Sequence, residues 1–259
     1  DGSLNAGTGA MTVAREASNG RISVGTGHGG MEISQSELNR MTAASLTVGQ
    51  QGTSSHDDNI YVHDADLTRF NLLTLNNRRS DSSNDQDVTF QGTNLVKTLV
   101  VNSDDDITLV DNGSENASLT STGDITLNGN TNNMTAGNLH LDDDSHIDTN
   151  GHNLVTEALN TVIDDDAYID AEGGNITLHN ANTFSSANSD SVRTHGTGTI
   201  TINQNVGGSI QNAIDAVHNT GTGLNTINVG AGTFHESLSV TDNNFLLNGN
   251  NAGLAGQSP

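Results

Sequence analysis

The chain has 259 residues, with 31 Asp+Glu against 8 Lys+Arg, a formal net charge of −23, one Pro, no Cys and 3% aromatic residues. A surface this acidic repels phosphate backbones and excludes a conventional nucleic-acid binder; without Cys there are no disulfide staples and no thiolate metal sites. No apolar run approaches the roughly 18 residues of a membrane span, so no membrane insertion is expected.

High charge with 32% hydrophobic content is compatible with disorder, but the β-branched residues fall in pattern. Ala10-Met11-Thr12-Val13 and Arg21-Ile22-Ser23-Val24 already read as repeat sequence, and Gly25-Thr26-Gly27-His28-Gly29-Gly30 is a turn-like glycine cluster. Triplets of apolar–polar–apolar character follow in order: Leu46-Thr47-Val48, Ile60-Tyr61-Val62, Leu73-Thr74-Leu75, Val88-Thr89-Phe90, Ile107-Thr108-Leu109, Ile125-Thr126-Leu127, Leu139-His140-Leu141, Ile176-Thr177-Leu178, Ile200-Thr201-Ile202 and Ile227-Asn228-Val229. Period-two alternation of this kind marks half-buried strands, with Thr toward solvent. Gly, Asn, Asp and Ser between them supply turn chemistry. Strands this short need neighbours to stack on.

Ile107 and Ile125 are 18 residues apart, Ile176 and Ile200 are 24 apart, and several strands share a lead-in, as in Gly123-Asp124-Ile125, Gly174-Asn175-Ile176 and Gly198-Thr199-Ile200. A degenerate repeat near 20 residues predicts an all-β fold in which each turn of a parallel β-helix contributes a few strands. An antiparallel sandwich with Asn-Gly hairpins is the competing topology. One segment departs from the pattern. Apolar residues at Ile210, Ala213, Ile214 and Val217 form a helical face, with Ser209 as N-cap and Gly221 beyond the end. A short amphipathic helix over 209–218 is expected to cap an open end of the core, with strands resuming at 225–229, 236–240 and 245–247.

The stretch Ser209–Val217, followed by Ile227-Asn228-Val229-Gly230-Ala231-Gly232-Thr233-Phe234-His235-Glu236 and by Phe245–Gly253, resembles the N-terminal cap and first coils of the pectin-lyase-like right-handed β-helix superfamily. Ile33–Gly49 looks like the repeats of filamentous-haemagglutinin-type bacterial surface proteins. The resemblance implies a right-handed solenoid in two parts, a repeat region over 1–205 and a cap-like helix with the first coils of a further segment over 206–259. It also implies an extracellular or cell-surface location and a structural or adhesive role. The chain begins at Asp1 and neither end reads as self-sealed. It is therefore expected to be a piece of a longer protein, or a subunit that associates head-to-tail into a filament; host or matrix glycans are the other expected partners.

Three Asp triplets carry the candidate chemistry. Asp104, Asp106, Asp124, Asp142, Asp144, Asp164 and Asp166 recur at intervals of 18–22 residues. If one coil has that length, they form a column along one edge with neighbours ~4.8 Å apart. Oxygen-only ligands so placed favour Ca²⁺; the competing expectation is a series of solvated acidic turns. Calcium is thus the one cofactor the pattern admits. Carbohydrate-active members of the superfamily use clustered Asp with basic residues. This sequence has no Arg-x-Lys, and Arg193 is its only Lys or Arg beyond Lys97. An enzyme is therefore not expected, and a polysaccharide lyase or hydrolase, or a passive glycan-binding module, stands as the alternative.

Overall fold

The computed structural model describes residues 2–15, 20–52, 59–79, 87–113, 115–129, 137–204, 208–231, 234–241 and 244–249. The chain winds into a right-handed parallel β-helix. Its short strands form a ten-stranded, an eight-stranded and a six-stranded parallel sheet, called here the long, second and third faces, beside a two-stranded one.

One coil shows the plan. Leu154–Ala158 lies in the long face, Thr161–Ile163 in the second and Tyr168–Asp170 in the third, and the chain returns to the long face at Ile176–Asn180. Every triplet expected to be a strand is one. In-register stacking of Leu99, Ile125, Leu154, Ile176 and Ile200 builds a continuous buried apolar column. The alternate residues Val100, Thr126, Val155, Thr177 and Thr201 face outward, half-buried. A narrow core filled from three sides by Ile, Leu and Val has little room for large rings, which suits the low aromatic content.

Ile125 pairs with Leu154, Leu154 with Ile176, and Ile176 with Ile200, so a coil takes 22 to 29 residues. The 18-residue interval from Ile107 to Ile125 is therefore no coil; it joins a second-face strand to a long-face strand. The shared glycine lead-in has a spatial cause. A Cβ on Gly174 would lie 1.9 Å from the His152 carbonyl oxygen, and one on Gly198 would lie 2.4 Å from the Gly174 carbonyl oxygen. Successive coils approach backbone to backbone at this corner, where a side chain does not fit.

The first coil carries an excursion. Ile22–Gly25 pairs with Ile60–His63 and, on its other edge, with Met31–Ser34, reached through the glycine cluster. The buried Ser23 hydroxyl donates to the Gly29 carbonyl and accepts from the His28 N–H, fixing this tight return. Ser34 then caps a four-residue helix, α1 (Gln35–Leu38). Its hydroxyl accepts from the Glu37 N–H while the Glu37 carboxylate accepts from the Ser34 N–H. The hydrophobic repeat does not foresee α1; the Ser34-x-x-Glu37 capping box is its sequence signal.

The expected C-terminal helix is α2 (Ile210–Ala216), with the Ser209 hydroxyl accepting from the Asn212 N–H at 3.1 Å. It is shorter than its hydrophobic face suggests. Val217 turns to extended backbone, because Val217–Asn219 pairs with Val192–Thr194 in the third face. α2 takes the place of a second-face strand and covers the edge of Phe184–Ser186. There the Asn212 amide accepts from the Ser186 N–H and donates to the Ser186 carbonyl, both at 2.7 Å, as a neighbouring strand would. The helix covers that face alone: in the long face Ile200–Gln204 pairs with Asn225–Val229, and that strand with Phe245–Gly249. The expected strand over 236–240 is absent. With α2 in the second-face position there is no strand edge for it to join. Glu236 and Ser239 instead bond to the helix N-terminus and to Gln211. Gly232-Thr233 and Asn250–Gly253 of the superfamily-like stretch lie outside the described residues.

Candidate functional site

The seven aspartates do not form one column. Asp104 and Asp106 lie at the corner leading into the second face, Asp124 at the corner leading into the long face, and Asp142, Asp144, Asp164 and Asp166 at the corner between the second and third faces. A coil turns three corners, so steps of 18 residues move from one corner to another. Only the 22-residue step from Asp142 to Asp164 brings two of these residues onto the same corner in adjacent coils.

Two of the corners are organised by side-chain ladders. At the first, Asp124 Oδ1 accepts from the Asn153 N–H (2.9 Å) and Nδ2 (3.2 Å). Asn153 Oδ1 accepts from the Asn175 N–H (3.1 Å) and Nδ2 (3.0 Å), and Asn175 Oδ1 from the Thr199 N–H (3.0 Å) and hydroxyl (2.9 Å). The corner leading into the second face repeats the series. Asp106 Oδ1 accepts from the Asn138 N–H (2.7 Å) and Nδ2 (2.9 Å), Asn138 Oδ1 from Asn160 Nδ2 (2.7 Å), and Asn160 Oδ1 from the Thr183 N–H (3.2 Å) and hydroxyl (2.8 Å). The order Asp–Asn–Asn–Thr follows from the donor inventory. A carboxylate only accepts, an amide does both, and a hydroxyl can close the series by donating. Asp106 and Asp124 are thus the acceptor ends of ladders that bind coil to coil.

The third corner is a repeated tight turn. The Ser145 N–H donates to the Asp142 carbonyl and the Ala167 N–H to the Asp164 carbonyl. Asp144 and Asp166 hold φ of 58° and 56°, the left-handed conformation that Asp tolerates better than most side chains. His140 Nε2 reaches Asp164 Oδ2 at 2.7 Å, and with Asp142 the two form a group whose ligand atoms lie within 4.8 Å of one another. Asp87, Asp105 and Asp106 form a second such group, and His63, Asp64 and Glu115 a third. The all-carboxylate group suits a hard cation such as Ca²⁺, whereas a His ligand shifts the preference toward first-row metals. The sequence pattern anticipates Asp106, Asp142 and Asp164 but misses Asp87, His140 and the His63 group, which only coil stacking brings into range.

The third face gathers a different set. Asp148 pairs with Asp170 in the next coil and Asp170 with Arg193 in the one after. His146 stacks on Tyr168 with centroids 5.0 Å apart and planes 6° apart, and the Arg193 guanidinium lies 4.5 Å from the Tyr168 ring centre. Because β-strand Tyr168–Asp170 lies between the other two, His146 covers one face of the ring and Arg193 the other. Burial pushes the His146 imidazole below its ordinary pKa, against the upward pull of Asp148. Burial also pushes the Tyr168 phenol upward, with Arg193 opposing it. Tyr61 is engaged in a similar way, with His28 stacked at 5.3 Å and Arg21 at 5.1 Å. The 22-residue recurrence of His146-Ile147-Asp148 as Tyr168-Ile169-Asp170 is the sequence signal for this patch.

With fold and geometry so described, comparison with protein-family models, with curated proteins and with solved structures gives no match. No helix among the described residues is long and apolar enough to cross a membrane.

Proposed function

We propose that this chain is a structural β-solenoid of the cell surface or extracellular space, a stiff acidic rod that serves as a spacer or adhesive segment and continues through further residues or a further copy placed head-to-tail. The observation that carries this reading is the pair of Asp–Asn–Asn–Thr ladders. Side chains of the type that elsewhere hold metals or substrates here donate and accept between coils along two corners. Such ladders stiffen a stack in which each coil touches only its neighbours. The likeness of residues 33–49 to haemagglutinin-type repeats agrees with it. The test is imaging and small-angle scattering of the purified chain. A rod, with the described coils spanning ~43 Å at ~4.8 Å per step, is expected to lengthen in steps as concentration rises. Compact particles of a single size at every concentration would sink the filament part of the proposal.

A second reading, a carbohydrate-active solenoid, is favoured by Asp148 and Asp170 in adjacent coils with Arg193 in register beyond them. Against it, both faces of the Tyr168 ring are already occupied, and Arg193 Nε donates to the Asp190 carbonyl. Release of reducing ends or unsaturated products from a polysaccharide panel, abolished by Asp170→Asn, would establish this reading over the first.

A further inference from the structure

We propose that the long face is where a second copy of the chain docks, side by side, as an isologous dimer. This goes beyond the structural-rod reading and rests on how charge is distributed over the solenoid. The chain carries −23 overall, yet the outward positions of the long face are almost free of charge. One outward column runs in register from Thr12 through Thr47 and Thr74 to Thr177, Thr201 and Thr226, with Val at 100 and 155. Two residues along each strand runs a second column, in which Asn102, Asn128, Asn203 and Asn228 recur. Among the described residues of these two columns Glu157 is the sole carboxylate, with His179 beside it in the next coil. Asp124 stands at the rim. Two copies approaching by any other side would bring dense carboxylates together; on this side there is almost nothing to repel.

The face is also prepared for contact. Asn128 Nδ2 donates to Asn102 Oδ1 at 2.9 Å and Asn228 Nδ2 to Asn203 Oδ1 at 2.6 Å, so the amide row is ordered before any partner arrives. Ordering of that kind reduces the side-chain entropy lost on association. A shallow groove of about 320 Å³ runs beside the threonine column, between Thr126, Val155 and Thr177 and the Asp124–Asn153–Asn175 ladder. The size is adequate. Ten strands at ~4.8 Å and about five residues of ~3.3 Å give roughly 700 Å² per copy, hence about 1,400 Å² in all, within the standard range for a specific interface. A two-fold relation sets the same patch on both copies and closes the assembly, so it does not compete with growth along the axis.

The experiment is sedimentation of the full chain between about 0.05 and 1 M NaCl, where the Debye length falls from above 10 Å to ~3 Å. Dimerisation is expected to strengthen as salt screens the acidic flanks. The double variant Thr177→Glu/Thr201→Glu is expected to raise the dimer dissociation constant at least tenfold, whereas Thr108→Glu on the second face leaves it unchanged. Because the chain has no Cys, thiol-labelling rates offer a second readout that does not depend on the charged variants folding. Thr177→Cys should be protected in 1 M NaCl and Thr108→Cys should not. A monomer at every salt concentration would overturn the proposal, as would a dimer indifferent to the glutamates or equal labelling of the two thiols. So would capture of a neutral polysaccharide by this face while the chain stays monomeric. These outcomes leave the rod reading untouched, since a single copy can be a rod.

Discussion

The ladder at the corner leading into the long face has a direction, and that direction makes a sharp prediction. Asp124 only accepts, so Asp124→Asn keeps an amide oxygen for the Asn153 N–H and Nδ2 and changes stability by no more than about 0.5 kcal/mol. Asn153→Asp keeps the backbone N–H bond but replaces the Nδ2 donor, 3.2 Å from Asp124 Oδ1, with a second carboxylate oxygen. The lost hydrogen bond is worth ~1 kcal/mol net, and two charges ~4 Å apart in water repel by ~1 kcal/mol. A carboxylate at 153 still accepts from Asn175, and more strongly, which recovers part of this. The expected net loss is about 1–2 kcal/mol, shrinking in 1 M NaCl as the repulsion is screened. Urea denaturation measures the total. Amide hydrogen exchange at Asn153, Asn175 and Thr199 tests whether the loosening is local, which matters because solenoids open coil by coil. The reasoning fails if the two variants are equally harmful. It fails more informatively if Asp124→Asn is the worse, since that would give the carboxylate a task the ladder does not require, such as holding a cation.

Other expectations follow from the same geometry. Asn212→Ala leaves the Ser186 N–H and carbonyl at the edge under α2 without partners, and a loss of about 2 kcal/mol is expected by urea denaturation, against near neutrality for the exposed Asn182→Ala. Gly198→Ala drives a methyl group against the Gly174 carbonyl of the preceding coil, and a loss of at least ~2 kcal/mol is expected in thermal melts. His146 is held below its ordinary pKa of 6.5 by burial. Its contribution is present above that value and lost as pH falls through the lowered folded pKa, so its NMR titration midpoint should lie below 6.5 and melting should decline in mild acid. The Glu236 carboxylate is held below its ordinary value chiefly by the Gln211 N–H, with the Ile210 N–H and Ser209 hydroxyl adding to it. Segment 234–241 should therefore stay on α2 above pH 4.5 and release as pH falls through the lowered pKa, earlier in Glu236→Gln, as amide exchange at Ile210 and Gln211 would report.

Much of the architecture was legible one residue at a time. Alternation of apolar and polar side chains is a local property of an extended backbone, so triplets such as Ile107-Thr108-Leu109 and Ile200-Thr201-Ile202 announce both a strand and its inner face. Ser209 and the 3.6-residue spacing announce α2 in the same way, and the Ser34…Glu37 pair announces α1. What no local pattern contains is which face each strand joins. Ile107 and Ile125 look like successive copies of one strand, yet they belong to different sheets. That choice depends on corner lengths that vary from coil to coil, because chain inserted at a corner can be accommodated outside the core. The assignment of faces scattered the seven aspartates over three corners, turned Asp106 and Asp124 into ladder acceptors, and brought His140 to Asp164. The same assignment ended α2 at Ala216, where pairing of Val217 in the third face outweighed one more helical turn. Charge follows the same division. The value of −23 is a sum over residues and can be counted from the sequence, but an acidic exterior with one nearly neutral face exists only after stacking has sorted the side chains.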